Sequence, residues 1–132
     1  MDELSERPGI EIDLEHIEDI LRRERVMRVR VFRNNPDKRE EKEREIDEAL
    51  EALQRMRVIF SGFNDKKDGD PGYILPHVEV IERCLKKEKS MREWVFRKDG
   101  TMRQNKVDEI NGALEALKRL RGYWDSLQLK LF

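Results

Sequence analysis

Glu24, Arg28, Lys42 and Glu45 lie on or beside apolar helix stripes, and the same residue types recur 64 positions later as Glu88, Arg92, Lys106 and Glu109. Glutamates contributed by four helices can hold a pair of metal ions, but bundles of that kind add Glu-x-x-His motifs. Here Glu45 is followed three positions on by Glu48 and Glu109 by Gly112, and the basic residues of each set compete for the carboxylates. No metal or other cofactor is expected. Each set is charge-neutral and is expected to close within its own hairpin as a half-buried ion-pair network that fixes helix register. A polar groove for a ligand or partner is the functional alternative.

Other reactive groups are sparse. His16 and His77 are not equivalent under the 64-residue shift, and neither has a histidine or cysteine at ligand spacing; His77 precedes Cys84 by seven residues, too far for one metal. There is no Gly-rich phosphate loop, Ser/His/Asp or Cys/His constellation, or Cys-x-x-Cys pair, so catalysis is not expected. Cys84 is the single cysteine and cannot close an internal disulfide. A lone cysteine suits a reducing compartment, so the cytoplasm is expected. The start "MDELSERPG" lacks the features of a signal peptide, and no apolar run approaches the ~20 residues of a membrane span.

The elements that must position these charges are helices. Charged residues make up 43% of the 132 and apolar residues 37%, a balance that suits amphipathic helices with one apolar stripe each. Residues 13–60 lie over 77–124 without a gap, and 21 of those 48 positions are identical, including "VFR" at 31–33 and 95–97 and "ALEAL" at 49–53 and 113–117. Each copy is preceded by Pro-Gly and an isoleucine, in "PGIEI" and "PGYIL". A period of this size marks a duplicated supersecondary unit. The turn-rich stretch "SGFNDKKDGDPG" divides the chain into a first hairpin at 1–62, a linker at 63–70 and a second hairpin at 71–132.

Within a unit, Ile46, Ala49, Leu53, Met56 and Phe60 step by 3 and 4, as do Ile110, Ala113, Leu117, Leu120, Trp124, Leu127 and Leu131. Thr101-x-x-Gln104 and Asp37-x-x-Glu40 have the form of capping boxes that start these second helices. Gly112 interrupts the last helix, either to admit a close neighbour or as a locally weak point. "VMRVRVF" at 26–32 alternates like an edge strand, but its image "SMREWVF" does not. Ile17, Leu21, Met27 and Val31 share one side of a helical wheel, as do Ile81, Leu85, Met91 and Val95, so helices are expected here as well. Turns at "NNP" and "KDG" make each unit an antiparallel hairpin. One hairpin leaves its apolar face wet and two close a core, which predicts an all-α, pseudo-two-fold four-helix bundle.

Basic residues cluster where each first helix meets its turn: eight Lys/Arg against two acids in 21–39, and seven against three in 85–103. Cations at a helix C-terminus favour the macrodipole, which is a structural account of these clusters. The functional account is a contact surface of Arg22, Arg23, Arg30 and Arg33 with Lys86, Lys87, Arg97 and Lys98, where Trp94, opposite the apolar stripe, stacks on a base or anchors a partner. Whether the clusters share one end depends on how the hairpins dock. Leu127, Leu129, Leu131 and Phe132 form an apolar tail absent from the first unit, suited to capping the bundle or to a homodimer contact.

Glu88, Met91-Arg92, Val95-Phe96, Gly100-Thr-Met102 and Glu115-Ala116-Leu117 resemble the pattern of small helical-hairpin proteins often found in phage and prophage genomes. The first unit keeps Glu24, Met27-Arg28, Val31-Phe32 and Glu51-Ala52-Leu53 but lacks the glycine turn. The resemblance covers about 30 residues per unit and departs from that class in having two copies and a shorter turn. It implies a phage-type origin, hence a bacterial cytoplasm, and attaches no activity. The expected function is that of a non-enzymatic interaction protein, presenting a helix face and basic turn region to a protein partner. The alternative is a nucleic-acid-binding module that uses the two basic clusters. No membrane partner is expected.

Overall fold

The computed structural model describes residues 2–61 and 74–131, with side chains over 9–61 and 74–127. It is all-α: α1 (Asp2–Val31), α2 (Pro36–Ser61), α3 (Leu75–Val95) and α4 (Gly100–Leu131). The edge-strand pattern at 26–32 is helical through Val31. The linker at 63–70, and the side chains of Leu129, Leu131 and Phe132, lie outside the described residues; Leu127 is buried.

Each helix packs against two neighbours, in the cyclic order α1, α2, α3, α4 and back to α1. Ion pairs fix the directions. Glu18–Arg57 and Arg25–Asp47 join α1 to α2, Glu45–Lys87 joins α2 to α3, Arg92–Glu109 joins α3 to α4, and Asp13–Arg119 joins α1 to α4. Partners descend along one helix as positions rise along its neighbour. Glu18 and Arg25 of α1 meet Arg57 and Asp47 of α2. Gly9, Asp13 and His16 of α1 lie beside Tyr123, Arg119 and Gly112 of α4, and His77 and Lys87 of α3 lie beside Arg55 and Glu45 of α2. With the short α3–α4 turn, all four contacts are antiparallel. It follows that α1 and α3 are parallel and diagonal across the bundle, and that both hairpin turns lie at the same end. A half-turn about the bundle axis exchanges the two hairpins.

Burial follows the repeat. Leu14 and Val78, Ile17 and Ile81, Leu21 and Leu85, Ile46 and Ile110, Ala49 and Ala113, Leu53 and Leu117, and Met56 and Leu120 are all buried pairs under the 64-residue shift. Cys84 takes the buried place that Ile20 fills in the first unit. The apolar stripe ends earlier than its periodicity predicts: Val31 and Val95 are 56% and 51% exposed.

The helix starts also differ from the capping boxes read from the sequence. Asn35 Oδ1 accepts from the Lys38 amide at 3.2 Å, and Asp99 Oδ1 accepts from the Met102 amide at 3.0 Å. The caps are therefore Asn35 and Asp99, two residues before Asp37 and Thr101, because a short acceptor at the last non-helical position reaches the third amide of the first turn. Pro36 and Gly100 then occupy the first helical position, where proline loses no hydrogen bond. The two turns share their bonding despite their different sequences: Asn35 N to Phe32 O is 2.9 Å and Asp99 N to Phe96 O is 3.1 Å.

Candidate interaction surface

At one level near the turns, α1 and α3 turn charge inward. Glu24, Arg28, Glu88 and Arg92 are each at most 2% exposed. Arg28 Nε donates to Glu88 Oε1 at 2.8 Å and to Oε2 at 3.1 Å, and its Nη2 reaches Glu24 Oε2 at 3.4 Å. Arg92 Nη2 donates to Glu24 Oε1, and its Nη1 donates to the Lys106 carbonyl at 2.7 Å and Glu109 Oε2 at 3.0 Å. Each arginine thus holds the glutamate of the opposite hairpin.

The expected closure of each charge set within its own hairpin is corrected by this exchange. Inward-facing residues of diagonal helices meet at the centre of the bundle, whereas Lys42, Glu45, Lys106 and Glu109 flank it. Lys42 pairs with Glu45 at 3.6 Å, Glu45 with Lys87 at 3.5 Å, and Lys106 with Glu109 at 3.9 Å. Taking four charges out of water costs several kcal/mol per ion before pairing, so the pairing returns little net stability. Among the described residues no group of three or more His, Cys, Asp or Glu is placed to hold a metal ion. No described helix is long and apolar enough to cross a membrane.

Burial, and then the nearby Glu88 and Glu45 carboxylates, push the Cys84 thiol up to about 12, which leaves it protonated and inert at neutral pH. Burial and the Arg55 charge lower the His77 pKa. Asp13, 5% exposed, accepts three hydrogen bonds from Arg119, the closest at 3.0 Å. Asp13 sits four residues before Ile17 on the buried face, a spacing that marks it in the sequence as an inward carboxylate in need of a cation.

Two of the sequence candidates, Arg22 and Lys86, lie back from the turns and hold glutamates on their own helices, at 2.9 Å to Glu18 and 3.7 Å to Glu82. Lys87 holds Glu45 across the α2–α3 contact. Arg23 is exposed on α1, also back from the turn. The rest converge on the turn end. Arg30, Arg33 and Lys98 are exposed and make no ion pair or side-chain hydrogen bond among the described residues. Trp94 is 63% exposed, and the Arg97 guanidinium lies 3.8 Å from its ring centroid. Arg97 is further held by its Nη1 donating to the Trp94 carbonyl at 2.9 Å. Val31 and Val95, at the ends of α1 and α3, are exposed, and Phe32 and Phe96 after them are half-buried. Sequence reasoning named the cations and the tryptophan as a contact surface but did not include the two valines.

The architecture is that of an up-down-up-down four-helix bundle. No family model matches the chain, and no curated protein or solved structure matches it either.

Proposed function

We propose that this protein is a non-enzymatic interaction module that docks a protein partner through its turn end and the helix faces leading to it. One observation carries the reading: both "VFR" turns lie at the same end, where cations that make no ion pair among the described residues share the surface with exposed valines and a tryptophan. Arg22, Lys86 and Lys87, which lie back from the turns, each hold a carboxylate. Cations interleaved with large apolar side chains suit a partner's polar rim and apolar centre. The helical-hairpin resemblance supports a phage-type origin, with a bacterial protein as the partner.

Nucleic-acid binding is the second reading, favoured by the same cations and by the exposed tryptophan. Against it, Arg97 already stacks on Trp94, and aliphatic side chains gain little from a phosphate backbone. Photo-crosslinking residues placed at positions 33 and 98, and as controls at 58 and 121, test the first reading in cells of the bacterial host. Adducts to one protein from 33 and 98 but not from the controls support it; adducts from the controls alone, or none, overturn it. Binding to mixed-sequence DNA or RNA that weakens steeply with salt would favour the second.

A further inference from the structure

The turn end has features that define the chemistry of its partner. The sequence segments that build it, 26–38 and 90–103, hold eight Lys/Arg against three Asp/Glu, while the rest of the chain holds twenty against twenty-six. The surplus positive charge of the molecule is therefore gathered toward this end. Arg28 and Arg92 are buried in the neutral quartet with Glu24 and Glu88, which leaves six exposed cations against three exposed acids at this end. The end is also bipartite. Arg33 and Arg97 are equivalent under the half-turn, as are Val31 and Val95, and they sit at the tips of diagonal helices. With neighbouring helices ~9 Å apart, the diagonal is about 13 Å. An extended chain covers that distance in roughly four residues.

From these placements we infer that the turn end binds one short acidic segment that also carries apolar side chains, laid across both turns. This rests on the reading that the turn end is the docking surface. Arg33 with Arg30 on one side, and Arg97 with Lys98 on the other, take the carboxylates. Val31, Val95 and the free parts of Trp94 take the apolar side chains between them. The two sides differ in readiness. Arg97 is held by its own helix carbonyl and by the indole, whereas Arg33 makes no ion pair or side-chain hydrogen bond among the described residues. The half-site around Trp94 is preorganised and the other is ordered on binding, so the first carries more of the affinity. A second copy of this chain approaching end to end is disfavoured by like charge.

The test uses the full chain and three probes at matched concentration: a fluorescent ten-residue peptide alternating glutamate with leucine, a ten-residue polyglutamate, and a mixed-sequence single-stranded oligonucleotide. The alternating peptide is expected to bind at least tenfold more tightly than polyglutamate, with amide shifts confined to residues 26–38 and 90–103. Arg33→Glu and Arg97→Glu are each expected to weaken it at least threefold, Arg97→Glu more, and the double variant more than either. Both positions are exposed, and circular dichroism checks that the variants stay folded. Equal binding of polyglutamate, tighter binding of the oligonucleotide, a single variant that accounts for the whole loss, or shifts elsewhere each overturn the inference. If crosslinks map to positions 33 and 98 but the alternating peptide fails, this inference falls and the docking surface stands; if the crosslinks also miss that end, both fall.

Discussion

Arg28 and Glu88 meet across the centre of the bundle, Nε 2.8 Å from Oε1, although one belongs to the first hairpin and the other to the second. Arg92 and Glu24 repeat the relationship from the other side. Glu88→Leu therefore strands Arg28, which keeps only the longer contact to Glu24 at 3.4 Å. The expected loss is about 3–5 kcal/mol in urea or thermal unfolding, the cost of leaving a buried charge without its partner. Trp94→Ala, at an exposed position, is expected to change stability by no more than about 0.5 kcal/mol. The reverse order of these two losses contradicts the facing of α3.

Removing all four charges together has a different outcome. The variant Glu24→Leu, Arg28→Met, Glu88→Leu, Arg92→Met is expected to match the parent or exceed it by about 1–4 kcal/mol, since desolvation offsets most of what pairing returns. Its hairpins lose the feature that selects one docking, so its NMR spectrum should show more than one set of core signals. A loss as large as that of Glu88→Leu alone would show that the pairs contribute net stability.

Helix α4 holds two glycines in different surroundings. A Cβ added at Gly122 meets nothing within 4 Å, whereas at Gly112 it comes 3.2 Å from His16 Cε1. Gly122→Ala should therefore stabilise by about 0.5–1 kcal/mol through helix propensity. Gly112→Ala should gain less, because the His16 ring of α1 has to yield. Chemical denaturation of the two variants side by side checks the order, and an equal gain would mean that the α1–α4 approach is looser than described.

Much of the fold was legible because the chain states it twice. The period of 64 residues located both hairpins, and the 3–4 spacing of Ile46 to Met56 located a core face that is buried in both copies. Glu24, Arg28, Glu88 and Arg92 were legible as inward charges for the same reason. Their partners were not, since a helical wheel shows which way a side chain faces and not which helix stands opposite. The diagonal placement of α1 and α3 decided that, and it also decided that the basic clusters share an end. The caps were misplaced because Thr101-x-x-Gln104 fits the capping pattern while Asp99, two residues earlier, had the better position. Arg22, Lys86 and Lys87 fell out of the contact surface because each found a carboxylate that a count of basic residues does not see.

The Cys84 thiol gives the bundle a pH dependence of known sign. Its folded pKa of about 12 lies above the 9.0 of an unperturbed thiol, so the folded state holds the proton more tightly. That contribution is fully present below pH 9 and is lost as pH rises toward 12, with a slope of up to about 1.4 kcal/mol per pH unit. Unfolding measured from pH 8 to 11 should fall more steeply for the parent than for Cys84→Ala. Parallel curves would place the thiol in contact with water.

The exchanged arginines also bear on ancestry. A hairpin with glutamate at one position and arginine four residues on is self-complementary about a dyad, so two identical copies satisfy each other with no change of sequence. Two identical hairpins docked about that dyad form the same central salt bridges. Fusing two such genes in tandem would then require no new contact; it would only replace a concentration-dependent encounter with one between tethered halves.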